Sequence, residues 1–394
     1  MINKNKDRGI TLVALVITII ILLILATISI QSLTNTGLFK NAQKAKDETQ
    51  NAAENQAKTL NEYEDELNKY TSGTVEERKD PIKEVANKVL STTDNTELQD
   101  AYGNKIVVPA GFKIVSDSTT SNATTVDKGI VIEDATSGAT AGSQFVWIPV
   151  GKIYTDVAKT DANAKTIELG RYEFDSNGNR SAYSGSYVEE DKGATNTTLK
   201  NWGNTIAKNI TNFKNSVAAN GGYYIGRYEA RTTTKRTAVG NALTQITEKG
   251  TDQVYNFVTQ LQAASQAQNM YNSNKFTSDL MNSYAWDTAT LFLQTCGEEK
   301  YSIKTSVNKS LASKGTNSSD YTGTRDTVCN VYDMASNIRE LTTETSNGSD
   351  GPCVSRGGDC YISTFDTSCR DDNGTSNSND NLGFRPLLFV GLNS

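Results

Sequence analysis

The side chains that could do chemistry are mainly thiols, because this 394-residue chain holds five cysteines and no histidine. Imidazole is the one side chain whose unperturbed pKa lies near neutrality, so Ser/His/Asp and Cys/His catalysis and histidine-ligated zinc are excluded. No CxxC pair occurs, which argues against a zinc ribbon or a thioredoxin-like site. An odd number of thiols allows at most two internal disulfides, and the spacing does not show which cysteines pair. The cysteines are Cys296, Cys329, Cys353, Cys360 and Cys369.

Charge and hydrophobicity are distributed unevenly along the chain. The formal net charge of −6 argues against a nucleic-acid partner, which would require a basic face. Hydrophobic residues make up 36% of the whole, yet 17 of the 21 positions in the range 10–30 are Ile, Leu, Val or Ala. No charged residue lies between Arg8 and Lys40. The sequence therefore joins a strongly apolar segment to a polar remainder.

The apolar segment, residues 10–30, has the length of a membrane-spanning helix. At ~1.5 Å per residue it spans about 30 Å, the thickness of the hydrocarbon core of a bilayer. Lys4, Lys6 and Arg8 precede it, so the positive-inside rule predicts a cytoplasmic leader over residues 1–9 and an extracellular remainder. A cleaved signal peptide would have a shorter apolar region of ~7–15 residues. We expect a single-pass protein of the cell membrane, with a C-terminal region in a compartment where disulfides are allowed.

The boundary sequence KDRGITLVAL, residues 6–15, resembles the class III signal of type IV pilins and pseudopilins. The resemblance implies that a prepilin peptidase cuts after Gly9, that Ile10 becomes the first residue, and that pilin-like subunits are partners in a pilus-associated assembly. Most major pilins carry a glutamate at the fifth mature position to register subunits, and this chain has Ala14 there. That departure argues against polymerisation but not against membrane insertion. An uncleaved signal anchor is the alternative.

The rest of the chain divides into a stalk, a linker and a larger domain. Apolar and small residues spaced in threes and fours continue to Tyr70, which predicts a pilin-like transmembrane and amphipathic stalk helix over 10–70, with a break near Asn35. Helical signals fade in a linker over 71–97, apart from a short candidate helix at 82–90. Short β-prone runs between Gly, Asn and Ser clusters then predict a loop-rich α+β ectodomain over 98–394. The expected strands are 106–108, 112–115, 129–132, 145–150 and 223–228, and the expected helices are 254–270 and 285–293.

One acidic loop, DSNGN at residues 175–179, could be read as a calcium loop or as a turn. Its glycine is at the fourth position instead of the sixth, and no glutamate stands at the twelfth. An Asn-Gly centre is typical of a β-hairpin turn, which is the interpretation we prefer.

Six phrases of the larger domain resemble, in order, the formylglycine-generating-enzyme/sulfatase-modifying-factor domain over residues 145–392. The resemblance implies a C-type-lectin-like fold and allows a structural calcium ion, although the metal ligands stay unknown and no other cofactor is expected. The phrases are FVWIPVG (145–151), GGYYIGRYEA (221–230), YAWDTA (284–289), VYDMASNIREL (331–341), SRGG (355–358) and GFRP (383–386).

The enzymatic members of that family use two closely placed thiols that bind copper and activate oxygen. In the family these thiols follow the arginine of the Arg-Gly-Gly turn by six and eleven residues. Here Cys360 and Cys369 follow Arg356 by four and thirteen, and Pro386 stands near a position that is often cysteine in catalytic members. We therefore expect no enzyme, with a cysteine-modifying oxidase as the alternative.

Non-catalytic members of this fold include the variable proteins of diversity-generating retroelements, in which a C-terminal segment is rewritten at codons ending in T or C. Residues 359–382 contain no Lys, Glu, Gln, Met or Trp, which such codons cannot encode. Roughly one random window in a hundred would lack all five types at this composition. An ordinary loop rich in Ser, Asn and Asp is the alternative, because such loops are also poor in these residues.

These resemblances predict a receptor- or adhesin-like surface protein that binds a protein or glycan ligand through a hypervariable region at about 359–382. The alternative is a structural minor pilin or pseudopilin with a constant head. Asp333–Leu341 and Arg356–Gly358 are expected to be structural. The expected contact residues combine aromatic area with short polar groups, as antibody paratopes do: Asp359, Tyr361, Ser363, Phe365, Asp366, Arg370, Asp371, Asp372, Asn373 and Asn379.

Overall fold

The computed structural model describes residues 7–35, isolated positions between 44 and 59, and residues 80–191, 210–305, 326–346, 352–362 and 364–391. The chain divides into two compact units, Met1–Arg78 and Lys79–Ser394. They are described separately below.

The first unit contains the helix α1, Asp7–Asn35, which includes the predicted processing site at Gly9 and Ile10. Apolar side chains along it are exposed, with Leu22 and Leu23 about 60% accessible. Helical residues recur at positions between 44 and 59, whereas the expected break after Asn35 and the stalk beyond 59 lie outside the described residues. Within the described part of the chain, no helix has both the length and the apolar character needed to span a bilayer. The membrane crossing predicted for residues 10–30 is therefore not shown.

The second unit begins with a short helix, α2, Pro81–Val85. Asp80 caps it, because its Oδ1 accepts hydrogen bonds from the backbone N–H groups of Ile82 and Lys83, each at 3.1 Å. The helix is shorter than the expected 82–90. Asn87 adopts a left-handed conformation with φ of +62° and turns the chain so that its N–H bonds Ile114 O at 2.7 Å. This helix falls inside the segment expected as linker, 71–97, and the strand that follows it, Thr96–Gln99, crosses the expected boundary with the larger domain.

The core of the second unit is a six-stranded antiparallel sheet in the order β13-β20-β10-β5-β4-β3. Its strands form where β-branched and aromatic residues are dense, and most agree with the expected strands within two residues. They are β3 Phe112–Val115, β4 Val131–Asp134, β5 Gln144–Pro149, β10 Gly222–Gly226, β13 Phe276–Leu280 and β20 Pro386–Val390.

A second sheet of four strands has the order β18-β17-β16-β19. Its β16 and β19 run parallel, and the other two pairs are antiparallel. The strands are β16 Arg339–Thr345, β17 Cys353–Arg356, β18 Arg370–Asn373 and β19 Leu382–Phe384.

Five two-stranded ribbons complete the strands of the described residues. They are β1 Thr96–Gln99 with β2 Lys105–Val108, β6 Gly151–Tyr154 with β7 Ala164–Ile167, β8 Tyr172–Phe174 with β9 Arg180–Ala182, β11 Arg231–Thr232 with β12 Gln253–Val254, and β14 Thr327–Val328 with β15 Val331–Tyr332.

Three longer helices pack in this unit: α3 Ile210–Asn220, α4 Gln260–Met270 and α5 Ser283–Cys296. α4 begins later than the expected 254–270, because Thr259 and Gln262 form a reciprocal capping box that fixes its start. α5 is longer than the expected 285–293, and its start is fixed by Asn282, whose Oδ1 accepts a hydrogen bond from Ala285 N–H at 2.9 Å.

Buried aromatic residues join the large sheet to α5. The rings of Trp147 and Tyr224 meet edge to face at 4.9 Å, and the neighbouring Tyr223 donates its hydroxyl to Ala285 O at 2.6 Å. The mixed α+β class is confirmed.

The DSNGN loop is a hairpin turn, as predicted, and joins β8 to β9. Asp175 Oδ1 accepts hydrogen bonds from the N–H groups of Asn177 at 2.8 Å and Asn179 at 2.9 Å. Gly178 has φ of +80°, which glycine adopts without strain.

Candidate binding face

Residues 359–382 include β18, the outermost strand at one edge of the four-stranded sheet, and end at Leu382, the first residue of β19 at the opposite edge. The register of β18 on β17 places Arg370 opposite Arg356 and Asn373 opposite Cys353. All four residues of β17 are buried, whereas the first three of β18 are half-buried or exposed. The edge strand β18 therefore carries expected contact residues, and the buried strand β17 supports them.

A cluster of buried ion pairs lies beneath β18. Asp287 accepts a hydrogen bond from Arg356 Nη2 at 2.5 Å and another from Arg370 Nη2 at 2.6 Å. Both oxygens of Glu344 accept from Arg370 Nε at 3.1 Å, and Arg171 also pairs with Glu344. Asp287 and Glu344 are fully buried. Because removing one partner leaves a buried charge uncompensated, this cluster fixes the position of β18.

Two tyrosines, Tyr183 and Tyr187, lie against the outer side of this cluster and are called the tyrosine pair. Their rings are stacked, with centroids 6.4 Å apart and planes at 5°. The guanidinium carbons of Arg370 and Arg171 lie 4.0 Å and 4.6 Å from the centroid of Tyr183, as cation–π contacts do. Burial and the neighbouring charge of Asp372, which hydrogen-bonds the Tyr187 hydroxyl, raise the pKa of Tyr187. The tyrosine pair thus adjoins β18.

Arg339 ties the start of the segment to β18. Its Nε lies 3.0 Å from Asp359 Oδ2, and its Nη1 pairs with Asp371. The guanidinium also lies 5.5 Å from the ring centroid of Phe365. Asn381 donates to the same oxygen of Asp359 at 2.7 Å. Asp359 therefore holds the segment in place from inside the fold.

The structure divides the ten expected contact residues by exposure. Exposed side chains belong to Tyr361, Asp372 and Asn379. Phe365, Asp366, Arg370 and Asp371 are half-buried residues, and the side chain of Arg370 is only 7% exposed. Asp359 and Asn373 are buried, at 1% and 2% exposure. Ser363 lies outside the described residues.

The sequence reasoning missed the tyrosine pair and Arg171, and it included Arg339 only in the segment Asp333–Leu341, which was expected to be structural. Tyr183 and Tyr187 belong to SAYSGSY at residues 181–187, where tyrosines alternate with Ser and Gly. That composition is typical of paratope loops and could have pointed to them. The two arginines carried no local signal, because their importance comes from partners distant in sequence.

The motifs expected to be structural are confirmed in that role. A Cβ on Gly358 would lie 1.9 Å from Ala335 O, so only glycine fits this contact. Arg385 is buried and forms a two-pronged pair with Glu340, at 3.0 Å from Nε and 2.6 Å from Nη2. Trp286 donates its indole N–H to Thr367 O at 2.9 Å, which connects the core to the segment.

The thiols near this face are not activated. Burial raises the pKa of Cys360 to about 12 and that of Cys369 to about 11. A reactive cysteine requires a lowered pKa, because the thiolate is the nucleophile and the metal ligand. Across the described parts of the chain, no group of three or more Cys, Asp or Glu is arranged to hold a metal ion.

Comparisons with known proteins give one distant similarity. No family model matches the chain, and no curated protein matches it. Among solved structures, the chain is similar to Treponema denticola variable protein 1, with a TM-score of 0.33 and 12% identity over 64% of this chain and 97% of that chain. A similarity at this score does not establish a shared fold, so the C-type-lectin-like fold stays a prediction.

Proposed function

We propose that this chain is a ligand-binding protein whose binding face consists of the exposed side chains of residues 359–382 together with the tyrosine pair. The observation that carries the proposal is that one short segment contains both exposed residues and residues buried in the fold. Tyr361, Asp372 and Asn379 are exposed, while Asp359 and Asn373 are buried in the scaffold. Such an arrangement lets contact residues change while the fold is retained.

The energetic difference between the two classes supports hypervariability. Breaking a buried ion pair by removing one partner costs roughly 3–5 kcal/mol. Substituting an exposed residue usually changes stability by less than about 0.5 kcal/mol. Diversification confined to the exposed positions would therefore yield many faces on one stable scaffold.

The chemistry of the face favours a protein or glycan ligand with basic or hydroxyl groups. Tyr361 donates its hydroxyl to Asp380 Oδ2 at 2.6 Å, and the Tyr187 hydroxyl bonds Asp372. Each pair places a carboxylate next to an aromatic ring; cations interact favourably with both groups, and hydroxyl donors can hydrogen-bond the carboxylate. The raised pKa values of Cys360 and Cys369 support binding over thiol chemistry.

Display at the cell surface through the N-terminal helix is part of the same proposal. The prepilin-like signal at residues 6–15 and the helix α1, whose apolar side chains point outward, support it. Mass spectrometry of the chain from membranes of its source organism should find Ile10 as the N-terminal residue. An intact Met1 would contradict prepilin processing.

Sequences of the same gene from related strains test the binding face. We expect variation at 361, 372 and 379, constancy at 359, 370 and 373, and a near-identical template repeat beside the gene. If the segment varies no more than the rest of the unit and no repeat is present, the chain is better described as a structural minor pilin.

A binding assay tests the face directly. The full chain in detergent is applied to a glycan array and to a panel of purified surface proteins. The triple variant Y361A/D372A/N379A should lose binding that the wild type shows. A matched variant with three exposed residues outside the face, D161A/N177A/L261A, should keep it. Equal binding by both variants would contradict the assignment.

A further inference from the structure

The tip of the β14–β15 hairpin contains a cysteine in an unusual conformation. Cys329 and Asn330 connect the two strands, and their φ angles are +45° and +64°. Both central residues of this two-residue turn are therefore left-handed, a conformation for which Asn and Gly are the usual residues. A cysteine in this backbone conformation is strained, and Asn or Gly would adopt it more easily.

The tip is held firmly by its neighbours. A Cβ on Gly129 would lie 1.8 Å from Cys329 O, so the backbone of residue 129 lies directly against the turn. Asn330 donates to Gly129 O at 2.8 Å. The thiol of Cys329 is therefore presented from a fixed backbone.

The thiol of Cys329 lies beside the end of α5, where Cys296 is the last helical residue. A Cβ on Gly297 would lie 3.0 Å from Cys329 Sγ and 2.1 Å from Val328 Cγ1. The hairpin tip thus packs against Gly297, the residue that follows Cys296 in the chain. Both cysteines line the same open cavity of about 620 Å³.

The electrostatics agree with this closeness. Burial, and then the neighbouring Cys296, raise the pKa of Cys329 to about 12. Burial raises the pKa of Cys353, and burial together with nearby carboxylates raises the pKa values of Cys360 and Cys369. All five are free thiols in the structure.

We propose that Cys296 and Cys329 form a disulfide when the chain meets an oxidising environment. Two S–H bonds break and one Sγ–Sγ bond forms. The two electrons and two protons pass to a low-molecular-weight disulfide such as oxidised glutathione, which becomes two thiols. The bond joins the C-terminal end of α5 to the hairpin that precedes β16. This pairing does not depend on the binding proposal.

The chemistry sets the expected rate. With a pKa of about 12, roughly 10⁻⁵ of the Cys329 thiol is thiolate at pH 7. Uncatalysed oxidation of the folded chain should therefore be slow and should accelerate about tenfold for each pH unit between 7 and 9.

Peptide mapping tests the pairing. The full chain is equilibrated with a mixture of reduced and oxidised glutathione at pH 8, alkylated, digested without reduction and examined by mass spectrometry. We expect one linked peptide joining Cys296 to Cys329, with alkylated Cys353, Cys360 and Cys369. C296S should abolish the linked peptide, and the matched control C360S should retain it.

Thermal stability gives a second measurement, which stays informative if a variant used in the mapping fails to fold. The oxidised wild type should melt at a higher temperature than C296S, and dithiothreitol should remove that difference. A linked peptide with any other pairing would overturn the proposal. Full alkylation of both cysteines, in a buffer that oxidises a model dithiol peptide, would also overturn it.

Discussion

Glu189 is a side chain through which stability should depend on pH. Its Oε1 accepts the hydroxyl of Thr343 and its Oε2 accepts the N–H of Ser283, both at 2.7 Å. Burial, and then the charge of Glu344, raise the pKa of Glu189 to about 7. Arg171 acts in the opposite direction but does not cancel these effects. Glu189 follows the tyrosine pair and so connects it to the scaffold.

The sign and size of this pH dependence of stability follow from the linkage between protonation of Glu189 and folding. The unfolded chain has the ordinary pKa of about 4.5 for this group, so the unfolded state ionises more easily than the folded state. The full contribution to stability is present below pH 4.5 and is lost as the pH rises through 7. One pKa unit corresponds to about 1.4 kcal/mol, so the total loss is about 3.5 kcal/mol, of which about 2.5 kcal/mol falls between pH 5 and pH 8.

Urea unfolding of the full chain at pH 5 and pH 8 measures this loss. E189Q cannot ionise, so its free energy of unfolding should fall about 2.5 kcal/mol less than that of the wild type over this range. The amide loses one acceptor, but that penalty is the same at both pH values. E190Q, which removes a carboxylate from the neighbouring position, is the matched control and should follow the wild type. Equal pH slopes for E189Q and the wild type would refute the reasoning.

Three further predictions concern stability. D287A removes one of the two carboxylates that Arg356 and Arg370 share and should lower the free energy of unfolding by roughly 3–5 kcal/mol, whereas D161A, at an exposed pair, should lower it by less than about 1 kcal/mol in the same urea titration. G358A forces a Cβ to 1.9 Å from a carbonyl oxygen and should prevent soluble expression, while G240A, which meets open space, should express like the wild type. The proposed disulfide closes a loop of about 33 residues and should stabilise the oxidised chain by roughly 3–4 kcal/mol over the reduced chain; equal midpoints in urea would contradict this.

Local sequence predicted the elements whose cause is local. Phe112–Val115 is a strand with the expected bounds, because an apolar run is enclosed by a proline and glycine turn on one side and polar residues on the other. The hairpin around Gly178 was predicted for the same kind of reason. The start of α4 was predicted too early, because the capping box at Thr259 outweighed the apolar spacing that begins at Val254.

The sequence indicated which segment forms the candidate face, but it did not show which residues of that segment are exposed and which are buried. Asp359 and Asp372 are the same residue type in one polar segment, yet the first is buried against Arg339 and the second is exposed. Tyr183 meets Arg370 across 187 positions of the chain. Only tertiary packing decides such contacts, so composition identified the segment without separating scaffold from surface.

The position of β18 as the outermost strand of its sheet has a consequence for solubility. An edge strand presents backbone groups that can pair with another chain, and charged side chains are a common means of preventing this. Arg370, Asp371 and Asp372 supply three consecutive charges along this strand. Replacement of the two aspartates by Val or Ile would create a β-prone edge that could pair with the same edge of a second molecule. The range of sequences tolerated at this rim is therefore limited by self-association as well as by folding.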